Sequence, residues 1–154
     1  MPRRIRQWAP ALVWAAVIWT LSTERFSAAG TAQWIKPLLH WLFPGISARA
    51  LDLVHHDIRK TAHVVEYFLF TLLLYRALRG QERVWRLRPA LIAFAVAACY
   101  AALDEVHQVF VPGRHASPWD SLLDAAGAFA AMIVVYLYSR RRLSFRACLP
   151  DRQA

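Results

Sequence analysis

The sequence predicts an all-α integral membrane helical bundle with about four transmembrane helices. Hydrophobic residues make up 58% of the 154-residue chain, and charged residues make up only 19%. The apolar residues gather in four long runs, whereas the basic residues lie between the runs and at both chain ends. Long apolar runs bounded by basic segments are typical of membrane helices. A chain of this length forms one domain, so residues 1–154 are interpreted as a single membrane domain.

The charge balance is strongly basic, with 19 Lys and Arg against 10 Asp and Glu. Such a balance also occurs in nucleic-acid-binding proteins, which carry their basic residues on a soluble surface. Here the arginines flank apolar runs instead, so no nucleic-acid partner is expected and membrane lipids are the expected partners. The two cysteines, Cys99 in an apolar run and Cys148 in a basic tail, are too few for a disulfide framework.

The first apolar segment, Trp8 to Leu21, follows three arginines at residues 3–6. A basic start followed by an apolar run is also the pattern of a signal peptide, and the small residues 27–29 fit a cleavage site. A retained membrane anchor is the preferred interpretation, and cleavage stays open as the alternative.

Residues 25–59 form the longest connection and contain a short apolar stretch with helical spacing. Its apolar members are Trp34, Ile35, Leu38, Leu39, Trp41 and Leu42. We interpret this stretch as an interfacial helix that ends at Pro44 and Gly45. An ordinary packed loop is the alternative, and His55 and His56 are read as polar loop residues.

The other three segments are each polar at one end only. The second runs from Thr61 to Leu78 with its polar residues early, and the third runs from Pro89 with its polar residues late. The fourth begins at Pro118, carries its acids early and then holds no charge from Ala125 to Tyr138. On this segment Gly127 and its alanine neighbours form a small-residue face that permits close helix packing.

Arginine placement predicts the orientation, because basic residues in short loops are retained on the cytoplasmic side. The N-terminus, residues 76–88 and the basic tail at residues 139–154 are arginine-rich. These regions are therefore expected in the cytoplasm, in a multi-pass protein of a bacterial-type inner membrane. The connection between the third and fourth segments, with Arg114 as its only basic residue apart from His115, is expected outside.

This orientation brings the polar ends of three segments together at the outer face. Ionisable groups at membrane depth are costly and therefore indicate a functional or structural polar pocket. For Lys60 and Asp120, ordinary helix-end residues in the headgroup zone are an equal alternative. The candidate pocket residues are Lys60, His63, Glu66, Tyr67, Asp104, Glu105, Gln108, Arg114, Asp120 and Asp124.

Four linked motifs lie within residues 58–134. They are Lys60-x-x-His63-x-x-Glu66-Tyr67, Asp104-Glu105-x-x-Gln108, Phe110-Val111-Pro112-Gly113-Arg114 and Asp120-x-x-x-Asp124-x-x-Gly127. In order and spacing they resemble the VanZ-like family, which is named for a small membrane protein linked to teicoplanin resistance. The resemblance implies a small cell-envelope membrane protein, and in the family pattern the position of Asp124 is often Asn. No feature of the sequence indicates that this chain itself confers antibiotic resistance.

The candidate residues suggest binding of an amphipathic envelope molecule, such as a lipid, an envelope precursor or a lipoglycopeptide. Arg114 and Lys60 are suited to a phosphate or carboxylate head group. Pro112 and Gly113 are expected to form the tight turn that aims Arg114 at the pocket.

A membrane-embedded enzyme at the outer leaflet is the alternative, with His63, Glu66 and Asp104 in acid–base roles. No nucleophile motif accompanies these residues, so whether the protein is an enzyme stays open.

A metal site is a further alternative, because His63 with Glu66 and Asp104 with His107 place ligand types on neighbouring helical turns. His107 lies about 60° around the helix from Asp104, so no metal or other cofactor is expected. A transporter or channel would require an oligomer to enclose a path, and the oligomeric state is left open.

Overall fold

The fold was analysed in a computed structural model that describes residues 3–82, 84–114 and 116–147. These residues form helices and connecting turns, without a strand, so the predicted all-α class is confirmed. The elements are α1 (Arg3–Leu21), a 3-10 turn (Glu24–Phe26), α2 (Ala28–Leu42), α3 (Ala48–Arg79), α4 (Leu87–Val109) and α5 (Pro118–Ala147). The four predicted apolar segments correspond to α1, α3, α4 and α5.

Two of the described helices are long and apolar enough to cross a membrane, namely α4 and residues Pro118–Arg141 of α5. Only 33% and 22% of their apolar windows are buried. The core helix of a soluble protein would be mostly buried, whereas these helices leave wide apolar faces on the outer surface. Length and composition do not mark α1 or α3 as spans, because arginines open α1 and charged residues interrupt α3.

Helix α3 begins at Ala48, much earlier than the predicted start at Thr61. The Ser47 hydroxyl caps it by accepting a hydrogen bond from the Ala50 amide at 3.2 Å. No Gly or Pro interrupts the sequence until Gly80, which ends the helix with φ of 63°. The prediction was wrong because it followed the apolar run alone, and the charged residues before Thr61 are solvated on the same helix.

Helix α2 contains the apolar stretch that was read as an interfacial helix, and Ser27 caps it through the Gly30 amide. Leu39 is buried, whereas Trp34 and Trp41 are about three-quarters exposed. Ion pairing of Lys36 with Asp52 contributes to holding α2 on the first turns of α3. Helix α2 thus packs with one edge on the bundle and presents aromatic side chains outward.

Small residues allow α3, α4 and α5 to pack closely. A Cβ atom at Gly127 of α5 would lie 2.5 Å from the Val64 carbonyl oxygen of α3, so only Gly fits there. Ala128 and Ala131 are fully buried beside it. The predicted small-residue face is therefore confirmed. On α4 a matching stripe of buried alanines faces the other helices, formed by Ala90, Ala93, Ala97 and Ala101.

Helix α1 runs antiparallel to α3. The Trp14 indole donates to the Glu66 carbonyl at 3.0 Å, and the Tyr100 hydroxyl of α4 donates to the Ala15 carbonyl at 2.9 Å. Gln7 lies beside Gly80, so the start of α1 and the end of α3 are neighbours.

The bundle therefore has two chemically different ends. We call the end with the starts of α1 and α4 and the ends of α3 and α5 the arginine end. The opposite end, which carries α2, is called the polar end. Of the basic segments assigned to the cytoplasm, Arg83 and residues 148–154 lie outside the described residues.

Candidate functional site

The polar end brings together the candidate residues that the sequence places on three separate helices. Lys60 Nζ of α3 lies 3.1 Å from Asp120 Oδ1 of α5. One turn deeper, His63 Nδ1 lies 3.7 Å from Asp124 Oδ1. These two pairs cross the same α3–α5 contact that Gly127 makes possible, so the small-residue face also sets the spacing of the charged groups.

Beneath these pairs lies a set of buried polar side chains that we call the buried cluster, formed by Tyr67, Asp104, Gln108 and Asp124. All four are almost completely inaccessible to solvent. Gln108 Nε2 donates to Asp104 Oδ2 at 3.0 Å. The other oxygen of Asp104, both oxygens of Asp124 and the Tyr67 hydroxyl have no hydrogen-bond partner among the described residues. Buried polar atoms normally have hydrogen-bond partners. The unpaired oxygens of this cluster are therefore suited to accept hydrogen bonds from water or a ligand.

Glu66 lies at the edge of the cluster and is only partly buried. Its carboxylate interacts electrostatically with His63, Asp104 and Asp124. Glu66 therefore connects the buried carboxylates with the more accessible part of the site.

Glu105 binds the backbone at the start of α5. Its carboxylate accepts a hydrogen bond from the Ser117 amide at 2.7 Å, immediately before α5 begins. A carboxylate at a helix start satisfies an amide that lacks a partner within the helix and interacts favourably with the helix dipole. Glu105 thus fixes the start of α5 relative to the end of α4.

Arg114 follows a tight turn, as predicted. The Arg114 amide donates to the Val111 carbonyl at 3.2 Å, and Gly113 has φ of 72°. Proline at the second position and a left-handed Gly at the third position are the requirements of a type II turn. The turn directs the side chain back over the polar end.

The Arg114 guanidinium contacts the end of α1. One terminal nitrogen donates to the Leu21 carbonyl and to the Thr23 carbonyl, the latter at 3.3 Å. Its Nε is buried and has no partner among the described residues. Burial lowers the pKa of Arg114, but a guanidinium stays charged near neutral pH. Arg114 is therefore anchored to backbone carbonyls and still contributes positive charge to the site.

A cleft of about 220 Å³ opens above the buried cluster, and we call it the basic cleft. Three permanently cationic side chains line it, namely Arg59, Lys60 and Arg114, with Asp120 as the only acid of its described lining. The remaining lining residues are Ala28, His56, His63, Gln108, Gly113 and Leu123. Five of the predicted site residues therefore share this cleft.

Arg59 and His56 also line the cleft, and neither was among the predicted pocket residues. The prediction of His56 as a loop residue was wrong, because it lies on α3. Arg59 and His56 lie one turn before His63 and Lys60, so they share the same helix face. Starting α3 at Ala48 instead of Thr61 would have identified both. Arg59 is half-buried, interacts electrostatically with Asp120 and forms no direct ion pair with any described residue.

A second, smaller opening of about 140 Å³ adjoins the basic cleft, and we call it the side cleft. It shares Arg59, His63 and Arg114 with the basic cleft, and Glu66 lines it as well. Its other walls are mostly apolar and comprise Leu21, Phe26, Thr31, Ile35, Ile58 and Ala62. Arg59 and Arg114 therefore lie at the boundary between the charged basic cleft and the mainly apolar side cleft.

His107 does not join these residues. Its ring stacks on Trp19 of α1 with centroids 4.0 Å apart, and its Nδ1 lies 3.4 Å from the Ser22 hydroxyl. Within the described residues, no group of three or more His, Cys, Asp or Glu is arranged to hold a metal ion. The contacts of His107 with α1 and Ser22 therefore indicate a packing role for this side chain.

His55 contributes to packing between helices, and its interpretation as a loop residue was wrong. It is buried on α3, and its Nε2 lies 3.1 Å from the Thr31 hydroxyl of α2. Burial lowers the pKa of His55, and the nearby cations Arg59 and Lys36 act in the same direction. The neutral imidazole therefore contributes to holding α2 against α3.

Comparison with known proteins identifies the family. A family model described as VanZ/LLP1 matches residues 7–139, which confirms the resemblance carried by the four motifs and extends it beyond residues 58–134. No curated protein and no solved structure matches the chain. The match and the exposed apolar faces of α4 and α5 together indicate a membrane protein.

Proposed function

This chain belongs to the VanZ/LLP1 family, and we propose that it binds the anionic head group of an amphipathic cell-envelope molecule in the basic cleft. The observation that carries the proposal is the charge of the cleft. Arg59, Lys60 and Arg114 oppose the single carboxylate of Asp120. Asp120 is already paired with Lys60, whereas Arg59 forms no ion pair with a described residue. A phosphate or carboxylate group would supply a negatively charged partner for Arg59.

The dimensions favour a head group over a larger ligand. Sites for drug-sized molecules enclose about 300–1,000 Å³, whereas the basic cleft encloses about 220 Å³. A lipoglycopeptide would extend far beyond it. The head group of a lipid or of a lipid-linked envelope precursor is the better fit.

The side cleft supports an amphipathic ligand. It shares the cations Arg59 and Arg114, together with His63, with the basic cleft and continues between mostly apolar walls of α1, α2 and α3. A ligand with its charge at these cations would direct its hydrocarbon chain along Ile35 and Ile58. Arg114, which is anchored to α1, would position the charge, and Arg59 would form the principal contact.

We place the polar end at the outer membrane face, with α1, the part of α3 from Thr61 onward, α4 and α5 as four spans and the arginine end in the cytoplasm. The distribution of arginines supports this orientation. Exposed aromatic side chains at the polar end suit a membrane–water interface and include Trp34, Trp41, Phe110 and Trp119.

Cysteine accessibility in intact cells tests the orientation. Single cysteines would replace the exposed Ala116 and Gln81 in a background without Cys99 and Cys148. An impermeant reagent should label position 116 and not position 81. The reverse pattern would contradict the orientation and indicate a cytoplasmic ligand.

Binding of simple amphiphiles to the detergent-purified chain tests the function. Hexadecyl phosphate and palmitate carry the two candidate head groups, and hexadecanol carries the same chain without charge. Charge-assisted hydrogen bonds contribute about 1.5–3 kcal/mol. Arg59→Gln should therefore weaken binding of the preferred anion by about 10–100-fold.

The matched control is Arg25→Gln, an exposed arginine at the same end that does not line the cleft. It should leave affinity unchanged within about twofold. Equal binding of hexadecanol, or equal losses in both variants, would contradict an anion site in the basic cleft.

An acid–base enzyme at the same site is the second candidate, and the approach of His63 to the buried Asp124 favours it. A carboxylate behind an imidazole is a common arrangement for orienting a general base. The two functions differ in their response to Asp104→Asn. A pure binding site should tolerate the change with at most a partial loss of affinity, whereas an enzyme that transfers a proton through Asp104 should lose nearly all turnover while ligand binding is retained.

A further inference from the structure

A second large cleft lies at the arginine end, between the last turns of α3 and the second half of α5. We call it the arginine cleft, and its volume of about 380 Å³ exceeds that of the basic cleft. Its lining consists of Leu72, Tyr75, Arg76, Arg79, Val134, Val135, Tyr138 and Ser139. None of the residues assigned to the polar end contributes to it, so any ligand here is independent of the proposed function.

Two arginines supply the charge of this cleft, and no carboxylate belongs to its described lining. Arg79 lies with its guanidinium carbon 5.6 Å from the centre of the Tyr75 ring. The Tyr75 hydroxyl accepts a hydrogen bond from the Arg86 amide at 3.1 Å, which fixes the ring. The Arg79 Nε is buried and has no hydrogen-bond partner among the described residues. The Arg79 guanidinium therefore lies against a fixed aromatic ring beside the open cleft, where its charge is available to an anion.

Apolar side chains line the deeper part of the cleft on both helices. Leu72 of α3 and Val134 and Val135 of α5 form this part, Tyr138 and Ser139 continue the α5 wall, and Val134 is about half-exposed. The apolar surface continues along the outside of α5 through Ile133 and Leu137, which are also about half-exposed. A ligand that fills the cleft would therefore place its charge at the arginines and its hydrocarbon along α5.

The geometry points to a binding site for an anionic phospholipid, whose phosphate contacts Arg76 and Arg79 and whose acyl chain lies along α5. The planar guanidinium forms paired hydrogen bonds with phosphate oxygens. The apolar wall selects a lipid over free phosphate, and the absence of a carboxylate from the described lining favours a net negative head group.

Native mass spectrometry of the full-length chain in detergent, titrated with phosphatidylglycerol, tests this site. The Arg76→Gln/Arg79→Gln variant should lose at least about tenfold in affinity, because two charge-assisted contacts are removed. The matched control is Arg4→Gln/Arg6→Gln, which removes the same charge from exposed positions at the same end. The control should retain its affinity within about twofold. Equal losses in both variants would overturn the site.

Two further titrations identify the ligand. Phosphatidylcholine should bind more weakly than phosphatidylglycerol, and equal binding would overturn the requirement for net charge. Inorganic phosphate should displace the lipid only at far higher concentration, and displacement at equal concentration would overturn the lipid assignment. If the double variant does not fold, Arg76→Gln alone, at an exposed side chain, should still reduce affinity several-fold. An unchanged affinity would then overturn the proposal.

Discussion

Replacing Asp120 by Asn removes the only acid of the described lining of the basic cleft, and the change should strengthen binding of an anionic amphiphile. The Lys60–Asp120 pair is partly solvated, with side-chain exposures of 41% and 34%. Ion pairs this accessible contribute about 0–1 kcal/mol to stability. The variant should therefore unfold at nearly the same denaturant concentration as the wild type, which separates an effect on binding from an effect on folding.

The expected gain in affinity follows from the distances in the cleft. Lys60 Nζ lies 3.1 Å from Asp120 Oδ1, and an anion hydrogen-bonded to the same nitrogen would lie roughly 6 Å from that carboxylate. Two unit charges at this separation repel by about 0.7 kcal/mol in water and by about 2.8 kcal/mol at an effective dielectric constant of 20. A half-open cleft lies nearer the first value, so a gain of about 1 kcal/mol, or about fivefold, is expected.

Titration of hexadecyl phosphate into detergent-purified wild type and Asp120→Asn measures the change. Affinity should rise about fivefold at low salt, and the gain should shrink at high salt because exposed charges are screened. Hexadecanol should show no difference between the two proteins. Weaker binding of the phosphate by Asp120→Asn would refute the reasoning, since Asp120 would then be a ligand contact rather than a competitor of the anion.

Three further substitutions test the packing that forms the site. Gly127→Val should destabilise the bundle by about 1–3 kcal/mol in a denaturant titration through overpacking against Val64, whereas Gly45→Val, in open space, should not. Glu105→Ala should cost about 1–3 kcal/mol by leaving a backbone amide unpaired, and Glu105→Gln, which keeps an acceptor, should recover most of this loss. Because the folded-state pKa of His55 is lowered, its contribution to stability is present above its ordinary value of 6.5 and declines as the pH falls below it. His55→Gln should reduce that pH dependence, and an unchanged slope would contradict the assignment.

The sequence predicted the helices that carry long apolar runs, because burial in lipid requires such runs and basic residues end them. It also predicted that the polar starts of α3 and α5 and the polar end of α4 lie at the same end of the bundle, because α4 runs opposite to the other two helices. The close contact at Gly127 was predictable for a different reason, because a small residue on an otherwise apolar helix face permits close packing.

Other features were missed for two different reasons. The early start of α3, and Arg59 with it, was missed because the first turns are charged, although the Ser47 cap and the absence of Gly and Pro before Gly80 are local signals for it. The remaining features depend on contacts between distant segments and could not be predicted from local patterns. The anchoring of Arg114 on the Leu21 carbonyl depends on where α1 ends in space. The packing of His107 on Trp19 likewise requires the tertiary arrangement of α1 and α4.

Ligand protection of a single cysteine in the basic cleft tests the central claim most directly. Ala28 is exposed and lines the cleft, whereas Ala116 is exposed at the same end and does not. With Cys99 and Cys148 replaced, Ala28→Cys should react with a maleimide more slowly at saturating hexadecyl phosphate than with hexadecanol, and Ala116→Cys should react equally with both. Equal rates at position 28 with the two amphiphiles would contradict binding of an anionic head group in this cleft.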